Sequence, residues 1–335
     1  MKRLVLKTIA AAIAVAGISA FGSASAQDRT IKFTTANPEG HPLVMGMHKF
    51  ADIVAAKSGG KIKVNLFPGG VLGGDGPVVS ALQGGTIEMA SMNSGILASQ
   101  VKEFGVFDFP FMFSSSKQAD AVVDGPFGKQ MHAKLEAKGL VGLTYWELGF
   151  RNITNNKRPI TKVEDIAGLK LRVIPTAINV DWVKALGANP TPMTFGEVYA
   201  ALEQGAIDGQ ENPMTVIAAN KLFEVQKYGT LTNHQYNPQS VLISKKFWDS
   251  LNAGEKKIIS DAAVESTAYQ RQQARLQAST ALEAAKKGGM QINELSPAEL
   301  DKMRDKMRPV VAKFGVTVGQ DTVKGLQDAL AAAPK

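Results

Sequence analysis

The 335-residue chain contains no cysteine. That absence excludes disulfide staples, cysteine zinc sites, iron–sulfur clusters, thiol nucleophiles and a cysteine-linked lipid anchor. Histidine is scarce, at four residues. His41 and His48 share one helical stretch but sit about 10 Å apart, too far to hold one metal ion. His132 and His234 have no carboxylate at ligand spacing. The Walker, dinucleotide and nucleophile-elbow motifs are all missing, so no nucleotide, cofactor or serine-hydrolase chemistry is signalled. Acidic pairs such as Glu164-Asp165 read as charges meeting a helix N-terminus rather than as acid–base catalysts. Nothing after residue 26 is apolar for long enough to span a bilayer.

What is present begins with a targeting segment. Lys2, Arg3 and Lys7 precede an apolar run over residues 9–21, and Ala24-Ser25-Ala26 is a small-x-small cleavage site. Residues 1–26 therefore read as a removable signal, and the working protein as exported, soluble and periplasmic. Losing those three cations reduces the formal net charge of +8 to a mild excess, too small to argue for nucleic acid. Composition is ordinary for a globular protein, with 44% hydrophobic and 20% charged residues.

Periodicity gives an α/β chain. Residues 30–35 and 61–67 alternate as strands, and Leu43, Met47, Phe50 and Val54 mark a helix over 41–58 that Gly59-Gly60 stops. A glycine-rich loop over 68–77, carrying Asp75, leads to a helix at 78–83 and a strand at 87–92. A second series follows. It has strand candidates at 140–146, 150–154 and 169–173, helices at 176–186 and 195–204, and a short strand ending at Asn212-Pro213. The doubled series, crossing near Trp146, predicts two lobes joined by a hinge, with mixed sheets covered by helices. Residues 27–147 are assigned to lobe 1 and 148–244 to lobe 2. Residues 245–335 are C-terminal helices, including one long Ala-, Gln- and Glu-rich helix over 253–287.

Two arginines stand out. Arg172 interrupts the apolar strand Leu169-Lys170-Leu171-Arg172-Val173, and Arg151 follows the strand pair after Trp146. A guanidinium in an apolar strand must be paired internally or face a cleft, because burying it alone is costly. Its fork matches a carboxylate. Either an internal ion pair or a solute carboxylate satisfies the pattern. His41 opens a helix directly after a strand, where ligand crevices of α/β proteins lie.

Several blocks then recur in order: Phe150-Arg151-Asn152-Ile153-Thr154, Gly168-Leu169-Lys170-Leu171-Arg172-Val173, Pro192-Met193, Phe195-Gly196-Glu197 and Asp208-Gly209-Gln210-Glu211-Asn212-Pro213. In this order and spacing the chain resembles the solute receptors of tripartite ATP-independent periplasmic (TRAP) transporters, the DctP family. The resemblance implies a two-lobed binding protein of the periplasmic, class II-like kind, with a long helix bridging the lobes and no catalytic activity. It implies an organic acid anion as ligand, no cofactor or metal, and the small and large integral membrane subunits of the transporter as partners. A monomer is expected. On the family pattern Arg172 makes the main carboxylate salt bridge, Arg151 is a second contact, Asn212 lines the pocket and Phe195 forms an apolar wall. From lobe 1, Asn37, Glu39, His41 and Met92-Asn93-Ser94 would face the solute. Asn93 and Ile96 stand where sialic-acid receptors tend to have an acid and an arginine, which argues against that ligand. The polar set Asn93, Glu39 and His41 suggests a hydroxylated acid, such as a sugar acid or hydroxy-monocarboxylate. A C4-dicarboxylate remains an alternative, its second carboxylate using Arg151 or His41. Trp146 could stack on a ring or belong to the hinge core.

Overall fold

The computed structural model describes residues 28–334, so the expected signal over 1–26 lies outside the described residues. The first series is β1 (Arg29–Thr35), α1 (Pro42–Ser58), β2 (Ile62–Phe67), α2 (Asp75–Gly84) and β3 (Met89–Asn93). Short 3-10 turns within 94–108 lead to α3 (Ser116–Asp124), α4 (Pro126–Ala133) and β4 (Leu140–Asn155). The second series is β5 (Lys170–Val173), α5 (Ala177–Ala185), β6 (Asn189–Pro192), α6 (Val198–Glu203), β7 (Gly209–Asn212), α7 (Met214–Ala219) and β8 (Tyr228–Ser244). The chain ends with α8 (Lys245–Asp249), α9 (Ala253–Lys287), β9 (Gln291–Glu294), α10 (Pro297–Val318) and α11 (Gln320–Ala332).

The strands form one hydrogen-bonded path, β2-β1-β3-β8-β4-β7-β5-β6, with β9 added to β8. Two lobes arise because β4 and β8 are long enough to serve both ends of it. Residues 239–243 of β8 pair with β3, and residues 228–231 of the same strand pair with β9. The start of β4 lies against the end of β8, while its residues 152–155 pair with β7. The expected division at 147/148 therefore falls inside a continuous strand. The two candidate strands at 140–146 and 150–154 are one element, broken in register between Glu147 and Gly149. Gly149 has φ of 111°, a backbone shape that side chains with a Cβ rarely adopt. That kink explains why the sequence reads as two strands.

Helix α9 ties the lobes together. At about 1.5 Å per residue its 35 residues reach about 52 Å. Ile259, Ala262 and Ala263 near its start pack into a core with Phe33, Leu43, Phe50 and Trp146. Ala281 and Ala285 near its end pack into another with Val198, Leu202 and Ile217. Between them the helix buries Ser266, Thr267, Gln270 and Arg271, with Ala274 as the one buried aliphatic side chain of that stretch. Gln270 brackets the kinked strand: its Oε1 accepts from the Glu147 N–H and its Nε2 donates to the Glu147 carbonyl, both at 2.8 Å. Arg275 and Arg271 add ion pairs to Glu147, Asp120 and Asp124 on the same side. Helix α1 approaches α9 closely at Gly46, where an added Cβ would lie 2.7 Å from the Gln270 side chain.

Candidate solute-binding cleft

A cleft of about 550 Å³ opens where the strand ends of the two series meet. Its lobe 1 wall is built by register. Thr35 on β1 is paired with Ser91 on β3, and Asn93 at the end of β3 is paired with Gln239 on β8. Ser91 and Asn93 are two residues apart in a strand, so both face the cleft. With Asn37 they present polar atoms that are buried and have no hydrogen-bond partner among the described residues: Thr35 Oγ1, Asn37 Oδ1, Ser91 Oγ, Asn93 Nδ2 and Gln239 Nε2. Unpaired buried polar groups cost about 1–3 kcal/mol each, so five on one wall mark a surface shaped for a polar guest. Asn93 Oδ1 is occupied, accepting from the Gly95 N–H at 3.0 Å.

The opposite wall carries Arg172, Phe195 and Asn212. Arg172 is 3% exposed. Its Nε and Nη2 both donate to the Met193 carbonyl, at 3.0 and 2.9 Å. One edge of the guanidinium is thereby clamped, and the Nη1/Nη2 end is left without a carboxylate among the described residues. Burial, then the neighbouring Arg151 charge, lowers its pKa to about 10. The Phe195 ring lies 5.8 Å from the guanidinium carbon, a cation–π contact that holds the plane.

Arg151 also lines the cleft, but its charge is spent. It is 1% exposed, and its Nε and Nη2 bond both carboxylate oxygens of Glu211, with Nη1 donating to Asn237 Oδ1 at 2.9 Å. Burial would raise the Glu211 pKa, but the Arg151 charge and His234 overcome it and hold the carboxyl down at about 2. Of the two arginines, then, one is internally paired and one is open. The third cation at the cleft, Lys102, is water-exposed on the rim.

Asp75 enters from the first turn of α2, at the end of the glycine-rich loop. That helix begins three residues before the expected one, which places the acid at its positive N-terminal end. The loop crosses to the other lobe: a Cβ on Gly74 would meet the Thr194 side chain at 3.4 Å. Burial raises the Asp75 carboxyl to about 6, against the pull of Arg172.

Four expected contacts lie elsewhere, the first being Ser94, buried with its Oγ 2.8 Å from Ser240 Oγ. Glu39 is exposed and pairs with His48 at 3.3 Å. His41 is buried as the N-cap of α1, its Nδ1 accepting from the Leu43 N–H at 3.2 Å. Trp146 is buried in the lobe 1 core, 5.8 Å from the Phe33 ring. The cleft thus gathers Arg172, Arg151, Asn212, Asn93, Phe195 and Asp75, and not Ser94, Glu39, His41 or Trp146. Thr35, Ser91 and Gln239 escape the sequence reading, although small polar residues at alternate positions of a strand end are a readable sign. Among the described residues no cluster of His, Asp and Glu is placed to hold a metal ion.

The model of the bacterial extracellular solute-binding protein family 7 (DctP) matches residues 33–316. The 2,3-diketo-L-gulonate-binding periplasmic protein YiaO of Escherichia coli is 33% identical over 325 residues, covering 96% of this chain and 99% of its own. A crystal structure of the sugar acid binding protein DctPAm from Advenella mimigardefordensis, in complex with galactonate, superposes with a TM-score of 0.90. It is 43% identical and covers 91% of this chain and 98% of its own. A TRAP periplasmic solute-binding protein from Ochrobactrum anthropi, with its C-terminus bound in the ligand pocket, is 54% identical. Its TM-score is 0.82, with 91% and 96% coverage.

Proposed function

This chain belongs to the bacterial extracellular solute-binding proteins of family 7, the receptors of TRAP transporters, and we propose that its solute is a hydroxylated monocarboxylate of the sugar-acid class. The observation that carries the reading is the open end of the Arg172 guanidinium, facing five orphaned polar atoms across the cleft. In this reading one carboxylate takes the Nη1/Nη2 fork from lobe 2. Hydroxyls along the carbon chain satisfy Thr35, Asn37, Ser91, Asn93 and Gln239 from lobe 1. Asn212 and Phe195 flank the carboxylate end. The internal Arg151–Glu211 pair weighs against a C4-dicarboxylate, since it removes the second cation such a ligand would use. The galactonate and 2,3-diketo-L-gulonate named for two relatives are acids of the proposed kind.

The chemistry is capture rather than conversion. Arg172 supplies charge and direction, and water leaves the cleft as the walls close, which strengthens each hydrogen bond by lowering the local dielectric. The solute would then pass unchanged to small and large membrane subunits. Residues 1–26 would direct export and be removed, leaving a monomer with lobes over 27–147 and 148–244. Among the described residues no helix is long and apolar enough to cross a membrane.

A thermal-shift panel tests this, because a ligand at one hundred times its Kd adds about 2.7 kcal/mol to the native state. Aldonates should raise the melting temperature, and Arg172→Lys should weaken their binding about 10- to 150-fold, the worth of one charge-assisted hydrogen bond. Stabilisation by C4-dicarboxylates alone, or full affinity in Arg172→Lys, would sink the reading.

A further inference from the structure

We infer that Asp75 is a specificity-determining residue that sorts acids by their number of carboxylates, admitting a sugar acid with one and rejecting the same carbon chain with two. The inference rests on the proposed sugar-acid reading and adds what the cleft refuses. Asp75 is half-buried in the cleft wall, and neither of its oxygens accepts a hydrogen bond from the described residues. Its structural task is therefore slight: Gly74, not Asp75, is the N-cap of α2, and no side-chain bond is made there. The carboxylate is held near Arg172 without an ion pair joining them. The Gly74–Thr194 approach fixes that spacing, because Thr194 follows Met193, whose carbonyl clamps Arg172. Each of the two charges acts on the other.

The charge count around the guest follows. Arg151 is cancelled by Glu211, and among the cleft-lining residues inside the rim the remaining charges are one cation, Arg172, and one anion, Asp75; the buried Asp108 behind Asn93 is a further acid outside the lining. Glu197, which acts on Arg172 along with Glu211 and Asp75, is exposed and already bound to Thr194 through its backbone N–H and hydroxyl. A monoanion places its carboxylate on Arg172 and can donate a hydroxyl to the empty Asp75 oxygens. A dianion adds a second negative charge to a cleft that already holds the Asp75 carboxylate and whose one unpaired cation inside the rim, Arg172, is taken by the first carboxylate. In a buried site two like charges repel far more strongly than in water. Lys102 is too solvated on the rim to offset this.

The test compares galactonate with galactarate, which share hydroxyl stereochemistry and differ only by a terminal CH₂OH against a second carboxylate. Calorimetry on the full mature chain should show galactonate bound at least about tenfold more tightly, roughly one charge contact. Asp75→Asn removes the charge and keeps an acceptor. It should close that gap by about tenfold, mainly through tighter galactarate binding. Asp75→Ser should do the same, and far-ultraviolet circular dichroism would verify the fold of both variants. A parent protein that binds the two acids equally overturns the inference while leaving the sugar-acid reading in place. So does an unchanged preference in both folded variants. A parent that binds neither acid but takes succinate or malate overturns both.

Discussion

Arg151 and Arg172 are both buried arginines from strand ends of the same lobe, and the difference between them is a neighbour. Glu211 answers the first, and a backbone carbonyl that carries no charge answers the second. Residue type alone could not separate them, since either fate satisfies the cost of burial. His41 shows the same limit. Its position before a helix fits a ligand contact, but its nitrogen serves as a cap and its pKa is lowered to about 3 by burial. An imidazole whose folded pKa lies below the unfolded value binds its proton mainly when unfolded, so its native state loses stability as pH falls below about 6.5. Replacing it by Asn keeps a capping side chain and removes the titration. Relative to the parent, His41→Asn should gain about 2 kcal/mol between pH 7 and pH 5 in urea unfolding. Using the difference cancels the opposite trend of Asp75 and Asp108, whose carboxyls are both raised to about 6. A parallel pair of curves would show that His41 is charged in the folded protein.

At the scale of elements, the strands that carry Asn93, Arg172 and Asn212 are legible in the sequence, and β8, shared by both lobes, is not. Helix α9 is readable to its ends, because its capping box at Asn252 and Glu255 and its two closing glycines frame an unbroken run. Strand β8 escapes the sequence reading over all 17 of its residues. Gln235, Asn237, Gln239 and Ser240 are buried polar residues, and Pro238 interrupts them, so the alternation that reveals a strand is erased. Those polar residues serve the cleft and the Arg151 network: Asn237 holds Arg151, and Gln239 faces the solute wall. Local rules fail here because this part of the strand is filled by the polar cleft wall and the Arg151 network rather than by a core. The α1–α9 crossing makes a complementary prediction. Gly46→Ala would set a Cβ 2.7 Å from the Gln270 side chain and 3.2 Å from Trp146. Gln270 is fixed by its two bonds to Glu147 and cannot swing aside freely. The cost should be about 1–3 kcal/mol in chemical denaturation. A Gly46→Ala protein as stable as the parent would mean that the helices slide without penalty.

Across the whole molecule, the proposed solute contacts are divided: hydroxyl readers on one lobe, the charged fork on the other, with β4 and β8 shared between them. Neither wall can be satisfied alone, so binding energy is available only when the two approach. Small-angle scattering with saturating sugar acid should give a smaller radius of gyration than the free protein. Identical profiles would mean that the cleft is rigid and that the kink at Gly149 has no part in binding.

That kink also governs how such a receptor can diversify. Between the register breaks of β4 neighbouring side chains face opposite ways, so within each regular stretch the strand counts residues. Inserting a single residue before Arg151 would turn its guanidinium away from Glu211, strand that acid in the interior, and exchange cleft-facing for core-facing positions as far as Asn155. The glycine-rich loop carries no such parity, and the same insertion there would only change its length. New solute preferences can therefore arise by substitution along the shared strands, whereas changes in chain length are confined to the loops around the cleft.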